Sequence, residues 1–163
     1  MTPLIATHAF AALTALLLGG WQLFFSTKGS SVHRFAGRAW VLLMLYVSVS
    51  SLWIQDLRPG KFSLLHLLSI VTVVTVSLGF AAAWRGNLAN HVGNMVGSWI
   101  GLSFAFVFAV AIPQRHIPQF VLHEPLQALA AGLTIVGTTA VLIMLGRVLG
   151  PAAAPTAQVY SAS

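Results

Sequence analysis

Charged residues are scarce in this chain, and cysteine is absent. Of its 163 residues only 6% are charged, while 58% are hydrophobic. Soluble domains carry roughly 25% charged residues. The composition therefore indicates an integral membrane protein. The lack of cysteine excludes disulfide bonds, zinc–thiolate sites and cysteine-ligated iron–sulfur clusters.

Acidic residues are limited to Asp56 and Glu124, and both are predicted to lie near loops. An ion-coupled pump needs intramembrane Asp, Glu or Lys, and none is predicted inside a span. No arrangement resembling a hydrolase is present. The eight Lys and Arg residues give a net charge of +6. Because they are spread over loop edges, they favour membrane orientation and headgroup contact over nucleic-acid binding.

Long apolar segments predict the fold. At about 20 residues per span, the sequence predicts an all-α membrane protein of five transmembrane helices, at about 3–25, 32–54, 62–84, 91–112 and 125–145. We expect spans 1 to 4 to form a four-helix up-down bundle and span 5 to lie outside it. The N-terminus has no basic stretch, so we expect a retained span and not a cleaved signal peptide. Residues 1–147 would form one domain, and 148–163, rich in Ala, Pro and Ser, a disordered tail.

A histidine lies near the start of each of the first four spans: His8, His33, His66 and His91. Alternate spans enter the membrane from the same face and lie on a diagonal of an up-down bundle. His8 would thus face His66 at one membrane face, and His33 would face His91 at the other. Two opposed imidazoles are the axial ligand set of a six-coordinate haem iron. The helix rise places the two levels roughly 20 Å apart.

Other interpretations of the histidines remain open. Interfacial histidines with no shared role are one, and we expect His116 and His123, in the loop before span 5, to be interfacial or solvated. Zinc or copper binding is another, although two imidazoles per site are few for zinc. A third is a non-redox structural or transport module.

Small residues recur on two predicted helix faces. On the His8 face they predict either a close helix seam or a flat space for a planar ligand, and they are Ala12, Ala15 and Gly19. Span 4 carries Gly93, Gly97 and Gly101 on a face well away from His91. This second stripe predicts close contact with another helix.

The cations are distributed unequally between the two predicted sides. One side holds Lys28, Arg34, Arg38, Arg85 and Arg147, and the other holds Arg58, Lys61 and Arg115. The positive-inside rule predicts that the first side is cytoplasmic and that the N-terminus is outside. Arg34 and Arg38 would pair with haem propionates on the cytoplasmic side and Lys61 on the other. Contact with lipid phosphates is the equal alternative.

Three segments carry a family resemblance: HRFAGRAW from His33, FSLLHLLS from Phe62 and NHVGNMVGSWIG from Asn90. They resemble the signatures of a family of small predicted bacterial membrane proteins of unknown function. More loosely, the two-pair pattern is similar to the cytochrome b561 superfamily, in which four core helices hold two b-type haems. This resemblance implies an electron carrier of the bacterial inner membrane, with a quinone or a redox protein as partner. The superfamily's ascorbate-binding and ferric-reductase motifs are not evident here.

Overall fold

The computed structural model describes residues 2–54, 64–113 and 116–149. These ranges contain no strand, and their helices are α1 (Pro3–Phe24), α2 (Ser31–Ser51), α3 (Leu64–Trp84), α4 (Leu88–Ala111), α5 (His116–His123) and α6 (Pro125–Leu149). The prediction of an all-helical protein is confirmed. The predicted disordered tail from residue 150 and the predicted site residue Lys61 lie outside the described residues.

Polar caps set the helix starts. Thr2, Ser30 and Asn87 each accept a hydrogen bond from a backbone N–H three residues further on, which satisfies a donor that lacks an intrahelical partner. The C-terminal end of α1 is capped by Lys28, whose ammonium donates to the carbonyl oxygens of Gln22, Leu23 and Ser26. A cation is favourable there because the helix dipole is negative at that end.

Consecutive long helices pack antiparallel. Helix α2 lies between α1 and α3, α4 packs on α3, and α1 contacts α4, which closes a four-helix ring. Helix α6 packs on the outside, against α1 and α2. Close approach near the α6 C-terminus occurs at Gly146, where a Cβ atom would lie 3.3 Å from side-chain atoms of Val32 and Phe35. The predicted four-helix bundle with one peripheral helix is therefore confirmed.

Four helices in the described ranges are long and apolar enough to cross a membrane, namely α1, α3, α4 and α6. Helix α2 is not among them, because its first two turns carry His33, Arg34 and Arg38. Its 21 residues nevertheless span about 31 Å at roughly 1.5 Å per residue. Four of the five predicted spans therefore have the length and composition of a membrane span, and the fifth, α2, packs against α1, α3 and α6.

The segment before span 5 was expected to be a loop and instead contains α5. Pro118 is compatible with this helix because it lies in the first turn, where a backbone N–H needs no intrahelical acceptor. Helix α5 packs against α4 and α6. Other boundaries differ modestly: α4 begins three residues early at Leu88, after the Asn87 cap, and α6 continues to Leu149.

Two tryptophans fill the middle of the bundle. The Nε1 of Trp40 donates to the carbonyl oxygen of Ala15 at 2.9 Å, and the Nε1 of Trp99 donates to that of Leu16 at 3.0 Å. A Cβ atom on Gly19 would lie 2.5 Å from both Trp40 Nε1 and Trp99 Cδ1. Ala15 and Gly19 are therefore small because they make room for indole rings, and this part of the His8 face forms a seam.

The glycine stripe of α4 does not pack as predicted. Gly93 and Gly97 are exposed, and a Cβ atom on either would meet nothing within 4 Å. The prediction of close helix contact is wrong at these two positions for the described residues. Its other half is correct, because the opposite face of α4 carries the buried residues Ser98 and Leu102, which follow His91 along the helix.

Candidate functional site

The antiparallel order sorts the four helix-start histidines into two levels. Helices α1 and α3 begin at one end of the bundle, with His8 and His66, and we call this the His8 end. Helices α2 and α4 begin at the opposite end, with His33 and His91, and we call this the His33 end. His8 and His66 therefore lie at one end of the bundle and His33 and His91 at the other, as the sequence predicted.

His8 and His66 line the same cavity. It has a volume of about 210 Å³ and lies between α1, α2, α3 and α4 at the His8 end. Helices α1 and α3 each pack against α2 and α4, so the two histidines reach the cavity from diagonal corners of the ring. The remaining walls are mostly apolar, with hydroxyl groups from Ser48, Ser51, Ser69 and Thr72.

The size of the cavity limits what it can hold. Pockets for drug-sized ligands occupy roughly 300–1,000 Å³, and this cavity, at about 210 Å³, is smaller. Small side chains form much of its wall, from Ala9, Ala12, Ala105 and Ala109. The two histidines are therefore the ligands that a bis-imidazole haem site requires. The cavity is too small for a haem unless the helices move apart.

The tautomer of His8 is set by α2. His8 Nδ1 lies 2.9 Å from Ser50 Oγ, and that hydroxyl donates to the Val47 carbonyl oxygen at 3.2 Å. With the hydroxyl proton on the Val47 carbonyl oxygen, Ser50 accepts from His8, and the histidine proton is then on Nδ1. The Nε2 atom of the neutral ring then keeps its lone pair, as metal-ligating histidines require.

His66 and His116 complete the histidines of this end. His66 is buried, with 5% of its surface exposed, in the first turn of α3. His116, at the start of α5, is exposed, as the sequence predicted for an interfacial or solvated residue, and it also lines the cavity. His123 is exposed and contacts the Gln119 carbonyl oxygen of its own helix at 2.8 Å, in agreement with its prediction.

His91 resembles His8 in its surroundings. Its Nδ1 lies 2.9 Å from the carbonyl oxygen of Gly79 on α3. A carbonyl can only accept, so the proton is on Nδ1 and Nε2 again keeps a lone pair. A Cβ atom on Gly79 would lie 2.8 Å from Met95 Cε and 2.9 Å from Asn94 Cβ. Glycine is therefore needed where α3 and α4 approach beside His91.

His33 differs from His8 and His91, whose Nδ1 atoms each contact a neighbouring helix. Its Nδ1 is buried and has no hydrogen-bond partner. It lies within electrostatic range of Lys28, His91 and Arg34. Its backbone carbonyl accepts from Gln22 Nε2 at 3.3 Å.

The predicted propionate partners lie at the surface. Arg34 and Arg38 are exposed, and the Arg34 guanidinium donates to the carbonyl oxygen of Gly29. All cations among the described residues lie at or near the His33 end: Lys28, Arg34, Arg38, Arg85 and Arg147. Glu124 lies at the opposite end, beside the α6 N-terminus. The five cations that the sequence assigns to one side therefore lie at the same end, whereas Arg58, Lys61 and Arg115, assigned to the other side, lie outside the described residues.

A comparison with protein-family models matches residues 5–145 to the family described as "Predicted membrane protein (DUF2306)". The chain belongs to this family. Neither curated proteins nor solved structures gave a match. The expected relationship to a family of predicted membrane proteins is confirmed, whereas the looser similarity to the cytochrome b561 superfamily stays a prediction.

For this DUF2306 chain, the site contains residues that sequence reasoning missed. Ser50, Gly79 and Gln22 each contact one of the predicted histidines from a neighbouring helix. Nothing in a single sequence pairs them, because their contact depends on how each helix is rotated. In the described ranges, no group of three or more His, Cys, Asp or Glu side chains could hold a metal ion, so the zinc or copper alternative gains no support.

Proposed function

We propose that this member of the DUF2306 family is a transmembrane electron carrier with two b-type haems. His8 and His66 would ligate one haem, and His33 and His91 the other. The observation that carries the proposal is the shared cavity of His8 and His66, which they reach from diagonal helices through mostly apolar walls. The lone pairs left on Nε2 of His8 and His91 give further support.

The chain's own groups would bind and orient the cofactor. Ser50 and the Gly79 carbonyl fix the rings of His8 and His91, and the apolar bundle supplies a low-dielectric shell. Arg34 and Arg38 at the His33 end are placed to meet acidic groups at the membrane surface, either propionates or lipid phosphates. Bound haem would supply reversible one-electron chemistry. The proposal includes a quinone or a redox protein as partner and the bacterial inner membrane as location.

The volume of the cavity favours a second candidate. At about 210 Å³, it would admit a small ligand without any helix movement. In that case the chain would be a membrane module that binds a small molecule between His8 and His66, with no redox role.

The visible spectrum of the purified protein tests the proposal. Expression with ample haem, followed by purification in detergent, should give a Soret band, a bis-imidazole spectrum on reduction and two haems per chain. Colourless protein that also fails to take up added haemin would contradict the electron-carrier proposal and would favour the small-ligand module.

A further inference from the structure

Two buried atoms at the His33 end lack hydrogen-bond partners, and one of them can donate to the other. Nδ1 of His33 has no hydrogen-bond partner, and neither has Oε1 of Gln22. A buried polar atom without a partner destabilises the folded state. One of these atoms belongs to an imidazole that can carry a proton on either nitrogen, and the other can only accept. A hydrogen bond from His33 to Gln22 would satisfy both atoms at once.

The two residues are already in contact. Gln22 lies in the last turn of α1 with 8% of its surface exposed, and its Nε2 donates to the His33 carbonyl oxygen at 3.3 Å. That bond is long compared with the usual value of about 2.9–3.0 Å. The terminal torsion of a glutamine side chain has a broad energy minimum. The Gln22 carboxamide can therefore rotate at a small cost in free energy.

Gly37 provides the space for this carboxamide. A Cβ atom on Gly37 would lie 3.3 Å from Gln22 Nε2, closer than side chains usually pack. Gly37 lies one turn after His33 in the segment HRFAGRAW. A glycine at this position of the segment therefore has a physical reason: it leaves room for Gln22 beside the histidine.

We infer that Gln22 is the positioning residue of His33, with Oε1 accepting a hydrogen bond from Nδ1–H. This gives His33 the same arrangement that Ser50 gives His8 and the Gly79 carbonyl gives His91, with Nε2 left to bind a ligand. The consequence for haem rests on the proposed function. The inference about the His33 tautomer does not rest on the proposed function, because the tautomer is a property of the protein without haem.

Nitrogen NMR of the haem-free protein tests the hydrogen bond. In protein labelled with ¹⁵N-histidine, with His33 assigned by comparison with His33→Asn, the wild type should show a neutral His33 ring protonated on Nδ1. Gln22→Leu should shift this ring towards the Nε2–H tautomer, and Gln22→Glu should restore it. Gln127→Leu, at an exposed position on α6, is the matched control and should change nothing. An unchanged His33 spectrum in Gln22→Leu would overturn the inference.

Gly37→Ala is a second variant that leaves both partners in place. Its methyl group would push the Gln22 carboxamide away by a few tenths of an ångström, so a tautomer shift in the same direction is expected. A wild-type His33 spectrum in Gly37→Ala would show that the space at Gly37 is not required and would contradict this part of the inference.

The haem-loaded protein gives a separate readout. An acceptor on Nδ1–H makes the imidazole a stronger donor, so Gln22→Leu should raise one of two midpoint potentials, and Gln22→Glu should lower the same one. If the protein binds no haem while the tautomer of His33 depends on Gln22, the proposed function fails and the inference stands. If haem binds and neither the tautomer nor the potential responds, the inference fails alone.

Discussion

The carbonyl oxygen of Gly79 accepts a hydrogen bond from Nδ1 of His91 at 2.9 Å. The same glycine lets α3 approach α4, since any side chain there would meet Met95 and Asn94. One residue therefore provides both the acceptor for the histidine and the close approach that brings the acceptor within range.

We expect Gly79→Ala to destabilise the bundle by about 1–3 kcal/mol, the usual cost of forcing extra atoms into a packed site. It should also weaken haem binding at the His33 end by roughly 10- to 100-fold, the usual effect of disturbing a partner of a metal ligand. Unfolding in mixed detergent–SDS micelles and haem titration measure the two effects. Gly97→Ala is the control, because its methyl group meets nothing within 4 Å. Equal stability of the two variants would contradict the packing argument.

Single histidine variants should separate the two levels. His8→Ala or His66→Ala should remove about half of the haem absorbance, and His33→Ala or His91→Ala the other half, because the pairs lie at opposite ends of the bundle. His123→Ala should retain the full spectrum, since His123 is exposed and bonds within its own helix. Complete loss of haem from every variant, with folding intact by circular dichroism, would argue against two separate sites.

Trp40→Phe should lower the free energy of unfolding by at least about 1 kcal/mol, because Trp40 is buried and the smaller ring also leaves unfilled space. It removes the hydrogen bond to the Ala15 carbonyl, and the typical net contribution of such a bond is about 0.5–1.5 kcal/mol. Trp84→Phe is a suitable control because Trp84 is 79% exposed. A smaller loss for Trp40→Phe than for Trp84→Phe would show that the indole N–H adds nothing to stability.

The absence of cysteine makes the orientation measurable with single-cysteine variants. Thr27→Cys and Glu124→Cys introduce exposed thiols at the His33 end and at the His8 end, respectively. If the His33 end faces the cytoplasm, as the positive-inside rule predicts, a membrane-impermeant maleimide should label Glu124→Cys in intact spheroplasts. Thr27→Cys should react only after permeabilisation. The reverse pattern would invert the orientation.

The sequence predicted the helices and the level of each histidine because apolar length and chain direction are local properties. It did not predict the contact of Gly79, because α3 is apolar on all sides and its rotation cannot be read from periodicity. It did not predict the contacts of Ser50 or Gln22, because a hydrogen bond between two helices depends on the rotation of both. The predicted helix contact of Gly93 and Gly97 was wrong for a related reason: in a membrane, small residues can face lipid as well as another helix. Helix α5 was not predicted, because its eight residues are too few to show a helical period and they include Pro118.

The indole layer of Trp40 and Trp99 has a consequence for what can cross the bundle. Both N–H groups are committed to backbone carbonyls of α1, and the rings occupy the space over Gly19. We expect this layer to interrupt a file of water between the two ends, because apolar constrictions block hydrated ions by dewetting. If each end holds a haem as proposed, this layer would therefore separate the two ends by an apolar barrier that an electron can cross and a hydrated ion cannot.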